Sequence, residues 1–125
     1  MKQFLLLITL IFSPLTFSGE IAQINVQELK NRLELADKNI VILDIRTPYE
    51  HKSGIIKGAI KKNAYNDDFE KYVKALDKKK TYLIYCHSGG RSYKATDLFT
   101  RHGLKAFNVK GGISAWKDQG FKTVK

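Results

Sequence analysis

Apolar residues along the chain fall into two alternating kinds of run. Short continuous blocks occur at Ile40 to Ile45 (IVILDI), Tyr82 to Tyr85 (YLIY) and Ala106 to Val109 (AFNV). Blocks of this length suit strands covered on both faces, the condition of a parallel sheet. Between and around them, apolar residues recur at helical spacing. Val26, Leu29, Leu33 and Ala36 form one stripe, Phe69, Tyr72, Val73 and Leu76 a second, and Ala95, Leu98 and Phe99 a third. Shorter strands are predicted at Ile21 to Ile24 and at Ala59-Ile60, the latter set off by Gly54 and Gly58.

Polar residues mark where the helices begin and end. Asn25 and Glu28 have capping-box spacing, each able to satisfy a free backbone N–H. Thr47-Pro48-Tyr49-Glu50 reads as a second start, with a capping hydroxyl, a proline at the first helical position and an acid three residues after the cap. Asp67 and Glu70 flank a third. A fourth helix spans Ser92 to His102, stopped by Gly103, and Gly111-Gly112 lead into a short helix from Ser114 to Asp118. Strands alternating with helices predict an α/β fold, a central parallel sheet of about five strands with helices on both faces. Ligands of such sheets sit beyond the carboxyl ends of the strands. Asp44 and Cys86 both stand there.

The first residues break this pattern. Lys2, the apolar run Phe4 to Phe12, Pro14 and the small residues at Thr16 and Ser18 have the order of an export signal. Residues 1–18 are therefore expected to be a signal peptide and residues 19–125 one domain, periplasmic or secreted. The run is well short of the ~20 apolar residues needed to span a bilayer, so no stable membrane insertion is expected after cleavage. The chain has 125 residues, enough for one domain with its own core. Its charge is +10, from 22 Lys and Arg against 12 Asp and Glu. The lysines are scattered, and Lys78-Lys79-Lys80 falls in a predicted turn. That distribution fits solubility and attraction for small anions, and no nucleic-acid partner is expected.

Export changes the meaning of the cysteine. Secreted domains normally pair their cysteines, and this chain has one. Cys86 begins the segment Cys86-His87-Ser88-Gly89-Gly90-Arg91-Ser92, which runs from a strand end into a helix. Two glycines let the backbone curl, and curled backbone turns successive N–H groups inward as a nest for an anion. The helix start and Arg91 add positive charge. Together these favour the thiolate, the nucleophilic form of cysteine. The same cradle, with the Ser92 hydroxyl, would hold a persulfide anion. A buried cysteine closing a core strand is the plainer alternative, but it leaves the glycines, the arginine and the serine unexplained.

Three ordered motifs resemble the rhodanese family, in its single-domain form and the exported phage shock protein E style. They are Leu43-Asp44-Ile45-Arg46 with Glu50, Gly54 and Gly58-Ala59; Cys86 to Ser92; and Gly111-Gly112-Ile113-Ser114-Ala115-Trp116. The resemblance covers roughly Ile21 to Phe121. It implies a rhodanese-like fold and transfer of sulfane sulfur from a small anionic donor such as thiosulfate to cyanide or a thiol, including a protein thiol. It implies Cys86 as the catalytic residue, Cys86 to Arg91 as the active-site loop, and no metal or organic cofactor. Ile55 departs from the family, which usually has histidine there, and His87 stands where many relatives have arginine.

Cysteine phosphatases place five residues between cysteine and arginine; here four intervene, His87 to Gly90. A phosphatase or arsenate reductase is thus the weaker enzyme reading. A sulfur carrier serving one protein partner is another alternative. Asp44 and Arg46 are candidate supports for the loop, although an Arg46–Glu50 ion pair bracing the turn is favoured for the arginine. His87 is expected to be a loop residue beside the nucleophile, His51 and His102 surface residues, and Trp116 a core residue.

Overall fold

Alternation of the two kinds of run along the chain is carried directly into the architecture. The computed structural model describes residues 20–125; the export-signal reading of residues 1–18 lies outside them. The elements, in chain order, are β1 (Gln23–Ile24), α1 (Val26–Glu34), β2 (Ile40–Asp44), α2 (Pro48–His51), β3 (Ile60–Lys61), α3 (Phe69–Lys74), β4 (Thr81–Tyr85), α4 (Gly90–Arg101), β5 (Lys105–Val109) and α5 (Gly112–Asp118). The strands form one sheet in the order β1-β5-β4-β2-β3, and every pairing is parallel. The expected five-stranded α/β fold is what the chain adopts.

Continuous apolar strands are explained by the two layers they serve. Leu43, Tyr82 and Ile84 face a cluster closed by Phe69 and Val73 of α3 and Ala95 and Phe99 of α4. Ile42, Leu83 and Tyr85, the alternate positions, face a second cluster closed by Val26 and Leu29 of α1 and Ile113 and Trp116 of α5. Successive side chains point to opposite faces of a strand, so a strand with helices on both sides needs apolar residues throughout. Full burial of each large aliphatic side chain contributes about 1.5–3 kcal/mol relative to exposure. Trp116 is core, as expected, and its indole N–H donates to the Lys122 carbonyl at 2.9 Å.

Some boundaries differ from expectation, each for a local reason. Asn25 caps α1 by accepting from the Glu28 amide at 2.8 Å, but Glu28 does not reach back; its carboxylate is engaged by Arg32 at 3.0 Å. Ala36 leaves the predicted stripe because the chain has already turned, with φ 49°. Asp68, not Asp67, stands at the start of α3, and it makes no side-chain cap. The α4 helix starts at Gly90, two residues earlier than predicted. Gly90 and Arg91 therefore belong to its first turn. At Thr47 the full capping box forms with Glu50.

Candidate active site

Cys86 is the residue after β4, at the carboxyl edge of the sheet, and its side chain is buried. The chain next has to turn back on itself to start α4. It does so through Gly89, whose φ of 101° is a conformation that side chains disfavour. The turn brings the Gly89 amide to 3.1 Å from the Cys86 sulfur, and the Ser92 hydroxyl, from the first turn of α4, donates to the same sulfur at 3.3 Å. Burial alone pushes the Cys86 thiol up. The Ser92 hydroxyl and the amides of Ser92, Gly89 and Ser88 outweigh it, and the thiol lies below its ordinary value. His87 and Ser88 are exposed at the mouth of the loop, while Gly89 and Ser92 are buried with the sulfur.

The inward amides are possible because the carbonyls are held outward. The carbonyls of Cys86 and His87 accept from the amides of Ile113 and Ser114, in the first turn of α5, at 3.0 Å each. The Gly89 carbonyl accepts from the Tyr93 amide at 3.0 Å and from Asn108 Nδ2 at 3.3 Å. The approach of α5 requires glycine at 112: a Cβ there would lie 2.5 Å from the Cys86 carbonyl oxygen and 2.6 Å from that of His87. Gly112 and Asn108 are thus parts of the site that the sequence reading did not assign. The paired glycines of the third motif were the available signal for Gly112.

Arg91 has a partner that the sequence did not reveal. Its guanidinium makes a bidentate pair with Glu50, at 2.8 and 2.7 Å, and lies 5.7 Å from the Tyr65 ring centroid. Arg91, with smaller help from Thr47, holds the Glu50 carboxyl well below the carboxylate range, at about 2, against the opposing effect of burial. Glu50 chiefly, and the Cys86 sulfur to a smaller extent, push the Arg91 guanidinium up against the effect of burial. Much of the Arg91 charge is spent on Glu50, and the donors to the sulfur are neutral groups.

That pairing overturns the expected Arg46–Glu50 ion pair. Arg46 instead folds back onto Asp44, with Nη2 to Oδ2 at 2.7 Å and Nε to Oδ1 at 2.9 Å, and donates to the Gly54 carbonyl at 2.8 Å. Its only hydrogen bond to Glu50 goes to the backbone carbonyl, at 3.4 Å. His51, expected at the surface, is buried with Nε2 3.2 Å from Asp44 Oδ1. Arg46 also lies over the Tyr85 ring, whose hydroxyl accepts from the Ile56 amide at 3.0 Å. Asp44 and Arg46 brace the turn after β2, and their side-chain bonds do not reach the Cys86 loop. His102 does sit at the surface, 3.1 Å from Glu70.

Residues 25–119 match the family described as Rhodanese-like domain. The chain belongs to the rhodanese-like family. The Bacillus subtilis protein named "Putative sulfurtransferase YtwF" is 33% identical over 100 residues, covering 80% of this chain and 94% of that protein. A protein of Allochromatium vinosum named "Sulfurtransferase" is 33% identical over 104 residues, covering 82% of this chain and 94% of its own length. The crystal structure of a rhodanese-like domain protein from Staphylococcus aureus superposes with a TM-score of 0.71 at 33% identity, covering 84% of this chain and all of that one. These relatives support a sulfurtransferase-type function for the rhodanese-like domain. The match carries the family and does not reach down to the phage shock protein E type.

Proposed function

We propose that the protein is a thiosulfate sulfurtransferase that carries sulfur as a persulfide on Cys86. The observation that carries this reading is the convergence of the Gly89 amide and the Ser92 hydroxyl on one buried sulfur. In the first half-reaction the Cys86 thiolate attacks the outer sulfur of thiosulfate. A new S–S bond forms, the sulfur–sulfur bond of thiosulfate breaks, and sulfite leaves with its electron pair. The negative charge moves from Cys86 Sγ to the added sulfur, where donors fixed by the fold can stabilise it without reorganising. In the second half-reaction cyanide or an acceptor thiolate attacks that outer sulfur, and the Cys86 thiolate is the leaving group. Neither step needs a proton transfer, which leaves His87 without a required acid–base role. Double-displacement kinetics follow from the covalent intermediate.

Loop geometry argues against phosphoryl chemistry. Four residues separate Cys86 from Arg91 where cysteine phosphatases place five, so the cradle is smaller than theirs. The test is to incubate the purified chain with thiosulfate and then cyanide. The expected results are a mass gain of one sulfur atom and then thiocyanate, with Cys86→Ser lowering the rate at least about 10³-fold. Absence of both the sulfur adduct and thiocyanate from the wild-type chain would sink the reading; phosphate release from an aryl phosphate would replace it.

A further inference from the structure

A cleft of about 500 Å³ begins where the Cys86 loop ends, at Gly90 and Arg91, and runs along α4. Its α4 wall is a single stripe at helical spacing: Arg91, Lys94, Leu98 and Arg101, with Ala95 beside them. The facing wall is Ala64, Tyr65 and Phe69. The floor is therefore apolar, and every charged residue on the lining is a cation. Two of those cations already have partners: Arg91 pairs with Glu50 and Arg101 with Asp97. Lys94 is exposed and has no ion pair among the described residues. Thiosulfate and cyanide are too small to use such a space, and neither has an apolar body.

Resting on the sulfurtransferase reading above, we propose that this cleft selects the sulfur acceptor: an organic thiol with an apolar body and an acidic group, the acid meeting Lys94. The body would lie against Tyr65 and Ala95. Lys94 stands one turn into α4, about 6 Å along the axis from the end of the Cys86 loop at 1.5 Å per residue, the scale of an aromatic ring bearing a carboxylate. The acceptor thiolate attacks the outer sulfur of the Cys86 persulfide. The S–S bond to Cys86 breaks, and the products are an organic persulfide anion and the Cys86 thiolate. Lys94 acts on acceptor binding and not on the bond-making atoms.

Acceptor kinetics of the full chain test this. Thiosulfate is the donor, and cyanide, thiophenol and 3-mercaptobenzoate are compared for the wild type and for Lys94→Glu and Lys94→Met. Taking the ratio of kcat/KM for 3-mercaptobenzoate to that for cyanide cancels any general loss of activity or folded protein. Lys94→Glu is expected to lower that ratio about five- to tenfold through KM, Lys94→Met to lower it less, and the thiophenol ratio to stay nearly constant. A 3-mercaptobenzoate ratio that moves less than about twofold in both variants, or one that falls in step with the thiophenol ratio, would overturn the subsite. A wild type that makes no thiocyanate fails the sulfurtransferase reading itself, which is a different result.

Discussion

Strands β2 and β4 end side by side on one edge of the sheet, with Asp44 paired to Tyr85, and the chain treats the two ends in opposite ways. Beyond β2, strong charges are gathered and spent on each other: Asp44 with Arg46 and His51, all buried, with the Gly54 carbonyl taking a further guanidinium bond. Beyond β4 there is one weak acceptor, the Cys86 sulfur, surrounded by neutral donors. The first cluster is closed, so its charges have nothing left to offer a substrate. The second turns several neutral donors on one sulfur, and its loop opens to solvent at His87 and Ser88. Density of charge marks the bracing corner of this edge, and a convergence of neutral donors marks the reactive one.

Breaking the braced end should be felt mainly as stability. Arg46→Met leaves Asp44 buried without its cation and is expected to cost about 3–5 kcal/mol in urea unfolding. The folded fraction should keep its rate of thiocyanate formation within about twofold, since no side chain of the cluster bonds the sulfur and its one link to the loop is the long Arg46 bond to the Glu50 carbonyl. A rate loss well beyond that would join the two ends functionally. Gly112→Ala acts on the reactive end. It forces a Cβ into the carbonyls of Cys86 and His87 at a φ of 58°, with an expected cost of about 2–4 kcal/mol and a loss of activity larger than the loss of folded protein. Unchanged activity in the folded fraction would show that the α5 contact does not shape the loop.

Smaller changes sharpen the contrast. Ser92→Ala removes one donor from the sulfur, and kcat/KM should fall about three- to tenfold. The pH midpoint of Cys86 alkylation should move upward; a downward move or none would mean the hydroxyl does not support the thiolate. Glu50→Gln releases Arg91 and should cost less than about 1 kcal/mol, because the pair is partly exposed to solvent. Its pH dependence has a definite sign. The Glu50 carboxyl is lowered from 4.5 to about 2 in the folded chain. Its contribution is therefore complete above about 4.5 and is lost as pH falls toward 2. Wild type and Glu50→Gln should differ most in stability near neutrality and converge on acidification through that window.

The strands, the stripes and the reactive loop were legible because each is a local pattern: IVIL and YLIY announce doubly covered strands, and two glycines before a helix announce a curled loop. Partners distant in sequence were not legible. Arg46 and Glu50 have the spacing of neighbours on a helix, yet Glu50 pairs with Arg91 across a separation of 41 residues. Only the parallel register of β2 and β4 brings those two loops together. His51 stands on a short helix of mixed polarity, and nothing in that helix signals that Asp44 turns toward it. The start of α4 was misplaced because Gly90 and Arg91 suit a loop by composition, while the turn at Gly89 makes them helical.

The outward-facing carbonyls of the Cys86 loop tie its shape to elements that come later in the chain. Besides the Tyr93 amide of α4, their partners are Asn108 of β5 and Ile113 and Ser114 of α5. The loop and the two elements that hold its carbonyls are far apart in sequence, so a change in β5 or α5 can alter the setting of the Cys86 sulfur without touching it.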